Sequence, residues 1–254
     1  MALKQNWIDP QDDIQLHEDS IHVWRANLDQ DDRVTNNCMR LLSRDERERA
    51  ERFNFPVDRN RFITRRGILR RLLSWFVHCA PDQLMFEYSD YGKPRLVEQF
   101  NPGCVAFNLS HSNGKALFVV SQQEMLGIDI EFMRDDRDLL SIAAAAFSCH
   151  ELEQLRALPE NLQKEAFFNC WTRKEAFIKA TGKGLSFPLK NFDVSLLSGD
   201  RVKILRVEGL PEEKFTWQLE DLPVEKGYKA ALAVGIEKMF KQILLWNYLE
   251  DPVE

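Results

Sequence analysis

The chain has 254 residues, of which 44% are hydrophobic and 29% charged. That is enough apolar material for one large domain or two small lobes, and it excludes a disordered polymer. No apolar run is long enough to cross a membrane, residues 1–7 lack the apolar stretch of an export signal, and a net charge of −6 argues against coating a nucleic acid.

Five scattered cysteines (Cys38, Cys79, Cys104, Cys149, Cys170) without CxxC spacing suit reduced thiols, so a cytoplasmic protein with no membrane or nucleic-acid partner is expected. In chain order, Ile21-His22-Val23-Trp24 reads as a short strand. Ser43-x-x-Glu46 has the form of a capping box and predicts a helix to about Phe53, which Pro56 ends. A longer helix over Asp58–His78 would bury Phe62, Ile63, Leu69, Leu72, Leu73 and Phe76, with Arg59, Arg66 and Arg70 on its other face. From Arg44 to Arg71 ten arginines face five acids (Asp45, Glu46, Glu48, Glu51, Asp58), which leaves the rest of the chain at −11. A basic segment on an acidic protein points to a specific anionic ligand. The plainer reading is a solvated helix face.

Pro81-Asp82-Gln83 and Tyr91-Gly92-Lys93-Pro94 are turns. Val105–Leu109 and Ala116–Val120 read as strands joined by the loop Ser110-His111-Ser112-Asn113-Gly114, in which Asn113-Gly114 suits positive φ. A third strand covers Leu126–Phe132. Helices are expected over 139–147, 149–158 and 162–181, and strands near 192–197, 202–207, 216–219 and 230–235. The order lacks a βαβ rhythm and gives an α+β protein of two halves, 1–122 and 123–254, each a small, mostly antiparallel sheet packed with helices.

Two stretches carry the chemistry. In Gly127-Ile128-Asp129-Ile130-Glu131, strand alternation puts Asp129 and Glu131 on the face opposite Ile128 and Ile130. In Trp171-Thr172-Arg173-Lys174-Glu175-Ala176-Phe177-Ile178-Lys179, Glu175 and Lys179 stand one helical turn apart, with Lys174 a second nearby cation. Converging carboxylates suit Mg²⁺ and lysines suit phosphate oxygens, which points to chemistry on a phosphate or pyrophosphate. Taken alone, the acids could be an ordinary solvated strand face and His111 an ordinary turn histidine. Gly182-Lys183-Gly184 is no P-loop and reads as a helix stop with Gly182 as the cap. The remaining histidines show no zinc spacing, and no G-x-S-x-G elbow is present.

These segments, in this order, resemble the Sfp-type 4′-phosphopantetheinyl transferases. Tyr91-Gly92-Lys93-Pro94 and Phe107-Asn108-Leu109-Ser110-His111-Ser112 extend the similarity from about Arg44 to Pro188. The resemblance implies a pseudo-dimer of two similar lobes with coenzyme A in the cleft, and transfer of its phosphopantetheine arm to a serine of an acyl or peptidyl carrier protein. It implies that Asp129, Glu131 and Glu175 hold Mg²⁺, and that Lys179 contacts the pyrophosphate and the leaving phosphate. Ser110, His111 and Asn108 would belong to the nucleotide-binding segment, with Gly92 and Lys93 at the adenine. Arg49 and Arg61 would meet the 3′-phosphate, with Arg65 and Arg66 as alternates because Glu46 stands where a base is expected. Glu151, in Phe147-Ser148-Cys149-His150-Glu151, is implied as general base, with Glu175 acting through a water as its rival. Ala143, Ala144, Phe147, Phe168 and Leu185 could offer the carrier an apolar patch, although plain core packing is the better reading of any single one. A monomer is expected, because the two lobes already supply both sides of the cleft. The alternatives are a coenzyme A-binding regulatory protein without activity and a Mg²⁺-dependent nucleotide phosphohydrolase.

Overall fold

The computed structural model describes residues 6–10, 14–135, 138–197, 204–207, 216–236 and 242–249. Residues 202 and 203 of one expected strand, and the side chain of Leu185, lie outside that description. The first sheet contains β1 (Ser20–Asn27), β4 (Ala106–Ser112), β5 (Lys115–Ser121) and β11 (Gln242–Asn247) in the order β11-β1-β5-β4. All its pairings are antiparallel except β1 with β11. The second sheet is β6 (Leu126–Phe132), β10 (Tyr228–Ile236) and β9 (Thr216–Asp221), antiparallel throughout. Two hairpins complete the strands: β2 (Phe86–Tyr88) with β3 (Pro94–Leu96), and β7 (Phe192–Val194) with β8 (Ile204–Val207). The architecture is α+β in two lobes.

Helix α3 (Pro56–Val77) lies on the first sheet and carries α1 (Asp32–Leu41) and α2 (Arg44–Ala50) on its other side, and α6 (Glu160–Thr181) lies on the second and carries α4 (Leu139–Ala146) and α5 (Cys149–Ala157). Pro56 opens α3 at its first turn, where a missing N–H costs nothing, and does not simply end the helix before it. The expected polar face of α3 is also inward, since Arg66 and Arg70 are buried along with Phe62, Ile63, Leu69, Leu72 and Leu73. Helix α1 was not expected from its apolar pattern. Asp31 caps it, its carboxylate accepting from Val34 N at 2.8 Å. The capping box of α2 is present as read.

The two lobes share a core. Ile21, Val23, Leu117 and Val119 from the first sheet meet Leu126, Ile128, Ile130, Ala230, Leu232 and Val234 from the second. Ile128 and Ile130 are spent on this interface, which leaves Asp129 and Glu131 on the opposite face, as alternation requires. That face receives α6. A Cβ on Gly127 would stand 2.1 Å from Ala176 O and 2.3 Å from Ala180 N, so only glycine lets the helix backbone lie on β6. Ala231 and Ala233 of β10 keep the rest of that face low.

The C-terminal strand β11, not expected from the sequence, returns to the first lobe and pairs with β1. Trp246 Nε1 donates to His22 Nδ1 at 3.2 Å, which places the imidazole proton on Nε2, 3.0 Å from Ser20 Oγ. His22 is buried between Trp24, Phe76 and Trp246. Burial, then the charge of His17, push its pKa down to about 4. Among the described residues no helix is long and apolar enough to cross a membrane, and all five cysteines are free thiols.

Unfolded His22 takes up its proton near pH 6.5 and the folded residue only near pH 4. Between those values the unfolded chain binds more protons, so stability rises with pH and is lost as pH falls from 6.5 toward 4, by on the order of 3 kcal/mol at the limit. Thermal unfolding of the protein and of His22→Gln at pH 7.5, 6.5, 5.5 and 4.5 should show a shallower slope in the variant. Parallel slopes would remove His22 from the account.

Candidate active site in the cleft between the lobes

The functional face forms where two sheet edges meet. β4 ends the first sheet and β6 ends the second, and side chains join them where a backbone ladder is absent. Asn108 Oδ1 accepts from Ile128 N at 3.1 Å, Ser110 Oγ donates to Asp129 Oδ1 at 2.8 Å, and Ser112 Oγ accepts from Phe132 N at 3.1 Å. Ser112 also donates to Glu131 Oε2 at 2.9 Å. Both sets of numbers rise together, so the strands run the same way. Ser110, His111 and Ser112 therefore sit in a paired strand and not in the expected loop. The turn is only Asn113-Gly114, with φ of 44° and 80° as a two-residue hairpin needs. Ser112 is the residue that sequence reading left without a role; the alternation of polar 108, 110 and 112 along one strand face was its signal.

Helix α6 brings the second half of the site. Lys179 Nζ lies 2.7 Å from Asp129 Oδ1, 3.0 Å from Ser110 Oγ and 3.3 Å from Ile128 O. Glu175, one turn earlier and half-buried, has its pKa raised to about 7 by burial and by the negative charges of Asp129 and Glu131, with Lys179 opposing. The three acids therefore converge closely enough to repel. Asp129 is buried and its Oδ2 accepts no hydrogen bond, which leaves one carboxylate oxygen with an unanswered lone pair. This donor set, all hard oxygens around an orphaned buried atom, fits a hard divalent cation. Among the described residues no three His, Cys, Asp or Glu side chains stand as a ready-made metal cage, and Lys179 supplies the positive charge at Asp129.

Next to this floor is a cavity of about 310 Å³ walled by Asp45, Glu46, Arg49, Phe62, Arg65, Arg66, Tyr88, Pro94, Leu109, Ser110, His111 and Lys179. Arg65 is half-buried, its Nη1 donates to His111 Nε2, and its Nε is buried with no partner. Burial and the charges of Arg66 and Arg49 push the Arg65 pKa down to about 10. Desolvation against the wall, then Arg65, Lys179 and Arg61, push His111 down to about 4, so its imidazole is a neutral acceptor at neutral pH.

Other arginines are already committed. Glu46 is buried between Arg66 and Arg70, each Nε donating to it at 2.6 and 2.7 Å. Its own burial would raise its pKa, and the two guanidiniums hold it below the usual carboxylate range. Glu46 thus anchors two arginines, of which Arg66 lines the cavity with it and Arg70 does not. Arg61 is not among the cavity-lining residues. It grips Asp29 with two hydrogen bonds of 2.6 and 2.9 Å.

Glu151 and Lys174 occupy a separate, closed place. Glu151 is 0% exposed; its oxygens accept from Ser148 N at 2.9 Å and Val194 N at 2.8 Å, and Lys174 Nζ lies 2.7 Å away. Lys174 also donates to Leu189 O at 2.8 Å and Phe192 O at 2.5 Å. The second lysine of the motif thus ties α6 to α5 and β7 and does not face the cleft. Of the expected apolar patch, Ala143, Phe147 and Phe168 are core residues and Ala144 is exposed. Lys93 donates to Leu126 O and Ala180 O and is not among the cavity-lining residues, and Gly92 takes a φ of 80° in its turn. In a second cavity of about 330 Å³, near Arg25, Lys115 and Tyr228, Arg25 donates to Asn247 and Lys115 pairs with Glu225.

Residues 24–124 match the family model described as 4′-phosphopantetheinyl transferase, N-terminal, and residues 125–233 match that of the 4′-phosphopantetheinyl transferase superfamily. The chain is 37% identical over 233 residues to the 4′-phosphopantetheinyl transferase HetI of Nostoc sp., covering 92% of this chain and 95% of that protein. It is 30% identical over 212 residues to the 4′-phosphopantetheinyl transferase Sfp of Bacillus subtilis, covering 84% and 90%. To the L-aminoadipate-semialdehyde dehydrogenase-phosphopantetheinyl transferase of Xenopus laevis it is 26% identical over 212 residues, 78% and 70%. With both lobes matched by its models and relatives of this identity spanning most of the chain, the protein belongs to the 4′-phosphopantetheinyl transferase superfamily.

Proposed function

We propose that this cleft binds coenzyme A and that the protein transfers its 4′-phosphopantetheine arm to a serine of an apo acyl or peptidyl carrier protein, releasing adenosine 3′,5′-bisphosphate. The observation that carries the reading is the meeting, on one floor, of Asp129, Glu131 and Glu175 with Lys179, beside a cavity walled by arginines. A pyrophosphate needs charge neutralised on both phosphorus centres, and fixed cations in a partly closed site do this without reorganising. Arg49, Arg65 and His111 suit the nucleotide phosphates, with His111 accepting from Arg65 and so aiming it. Lys179 suits the oxygen that leaves. Asp129, Glu131 and Glu175 would hold Mg²⁺, which when bound adds positive charge at the pyrophosphate oxygens.

In the transfer, the carrier serine oxygen bonds to the phosphorus that bears pantetheine, and the bond to the bridging oxygen breaks. The serine proton needs an acceptor. Both Glu151 oxygens are occupied inside the fold, whereas Glu175 is half-buried beside Asp129 and Glu131. We therefore favour Glu175, acting through a water, as that acceptor. A monomer in the cytoplasm fits this reading, since both lobes wall one cleft and the thiols are free.

Incubating the protein with an apo-carrier, coenzyme A and Mg²⁺ should add one phosphopantetheine to the carrier by mass spectrometry. Failure across acyl and peptidyl carriers would sink the proposal. In the same assay Asp129→Ala should abolish transfer with little change in Tm, because Lys179, 29% exposed, can turn to solvent; retained transfer would show the carboxylate floor to be misassigned.

Glu151→Gln should behave differently from Glu175→Gln. The first leaves Lys174 buried without its counter-charge, at a cost of about 3–5 kcal/mol, and should lower Tm by on the order of 10 °C. The second removes a repelled carboxylate, so Tm should hold or rise while transfer is lost. The opposite pattern would return the base to Glu151.

A further inference from the structure

The β2–β3 hairpin supplies one wall of the cavity through Tyr88 and Pro94, and its turn packs on the other lobe. Ser89 O accepts from Gly92 N at 2.8 Å, and Lys93 N donates to Ser89 Oγ at 3.1 Å, so the turn is closed on itself. From it Lys93 crosses the lobe boundary. Its ammonium donates to Leu126 O at 3.1 Å and to Ala180 O at 3.3 Å. Leu126 directly precedes Gly127, where α6 rests on β6. Ala180 directly follows Lys179 and belongs to the last turn of α6, whose carbonyls receive no backbone N–H from within the helix. A cation supplied there from another part of the chain caps the helix and satisfies its dipole. Gly182, with φ 68°, ends the helix so close that a side chain there would touch the Lys93 stem, and Gly184 turns against Tyr91. Burial pushes the Lys93 pKa down to about 8, with Glu124 opposing, as expected of an ammonium held by neutral carbonyls.

We propose that Lys93 is a positioning residue: it clasps the end of α6 to β6 across the lobe boundary, so that the cavity wall and the helix carrying Glu175 and Lys179 move as one body. This rests on the transferase reading above. It gives the lysine side chain a task apart from touching the nucleotide. Losing the clasp lets α6 shift while Arg49, Arg65 and His111 stay in place, and a displacement of about an ångström at a reacting group costs up to about a hundredfold in rate.

The test measures transfer to an apo-carrier with varied coenzyme A for the protein, Lys93→Met and Lys93→Arg, together with amide hydrogen exchange. Lys93→Met should lose roughly tenfold to a hundredfold in kcat with KM for coenzyme A within about threefold, and Lys93→Arg should recover most of it. Amides of residues 179–182 should lose protection in Lys93→Met while those of α3 do not. A raised KM with unchanged kcat would make Lys93 a ligand contact, and no change in either would leave it without a role; both overturn the inference. If the unaltered protein fails to transfer, the functional reading falls, and the exchange experiment still decides the clasp. Should Lys93→Met not fold, Lys93→Gln, which keeps a donor, should lie between Met and Lys in exchange at residues 179–182; parity with the unaltered protein would overturn the clasp.

Discussion

The cleft depends on how near the backbone of α6 lies to β6. A Cβ on Gly127 would overlap Ala176 O and Ala180 N, so at that position the strand lies against the helix main chain. At that separation Lys179 can reach Ile128 O, Asp129 and Ser110 together, and Glu175 feels the charge of Asp129 and Glu131. A helix held off by one methyl group would keep its sequence and lose those distances. The shared inter-lobe core fixes the other side of the same strand, because Ile128 and Ile130 can satisfy their burial only by facing the first sheet. Asp129 is thus oriented by what its neighbours bury.

Charges are sorted before any ligand arrives. The basic segment looks uniform in the sequence, yet its arginines divide by partner. Glu46 takes Arg66 and Arg70, Asp29 takes Arg61, and Glu48 takes the exposed Arg44. Arg49 and Arg65 line the cavity beside the Glu46-held Arg66, with Arg65 Nε still unmatched. A buried acid between two guanidiniums adds little net stability, but it holds both cations in one place. The acid that disturbed the expected basic pattern is the group that makes the pattern selective.

Much of this was legible in the sequence. Alternation located Asp129 and Glu131, the one-turn spacing located Glu175 and Lys179, and Gly182 was read correctly as the end of α6. What escaped was set by tertiary pairing. Nothing local marks β11 as a parallel partner of β1, because that register joins residues more than two hundred apart. Lys174 and Lys179 look equivalent in the motif, and only the packing of α5 and β7 against one side of α6 separates a buried counter-ion from a cleft residue. Arg61 and Arg65 likewise differ by one helical turn. That turn decides between Asp29 and the cavity.

The seam between β4 and β6 carries one more consequence. Two strand edges side by side could have formed a continuous ladder, whose bonds are fixed by backbone geometry. Here Asn108, Ser110 and Ser112 take the place of ladder groups, and two of the three are hydroxyls. A hydroxyl proton rotates freely, so Ser112 Oγ can keep accepting from Phe132 N while releasing Glu131, and Ser110 can release Asp129. The strands stay joined while the carboxylates change partners. A site proposed to trade the Lys179 ammonium for a divalent cation requires that separation between what holds the lobes together and what holds the acids, and a backbone ladder would leave no side chains at the seam to provide it.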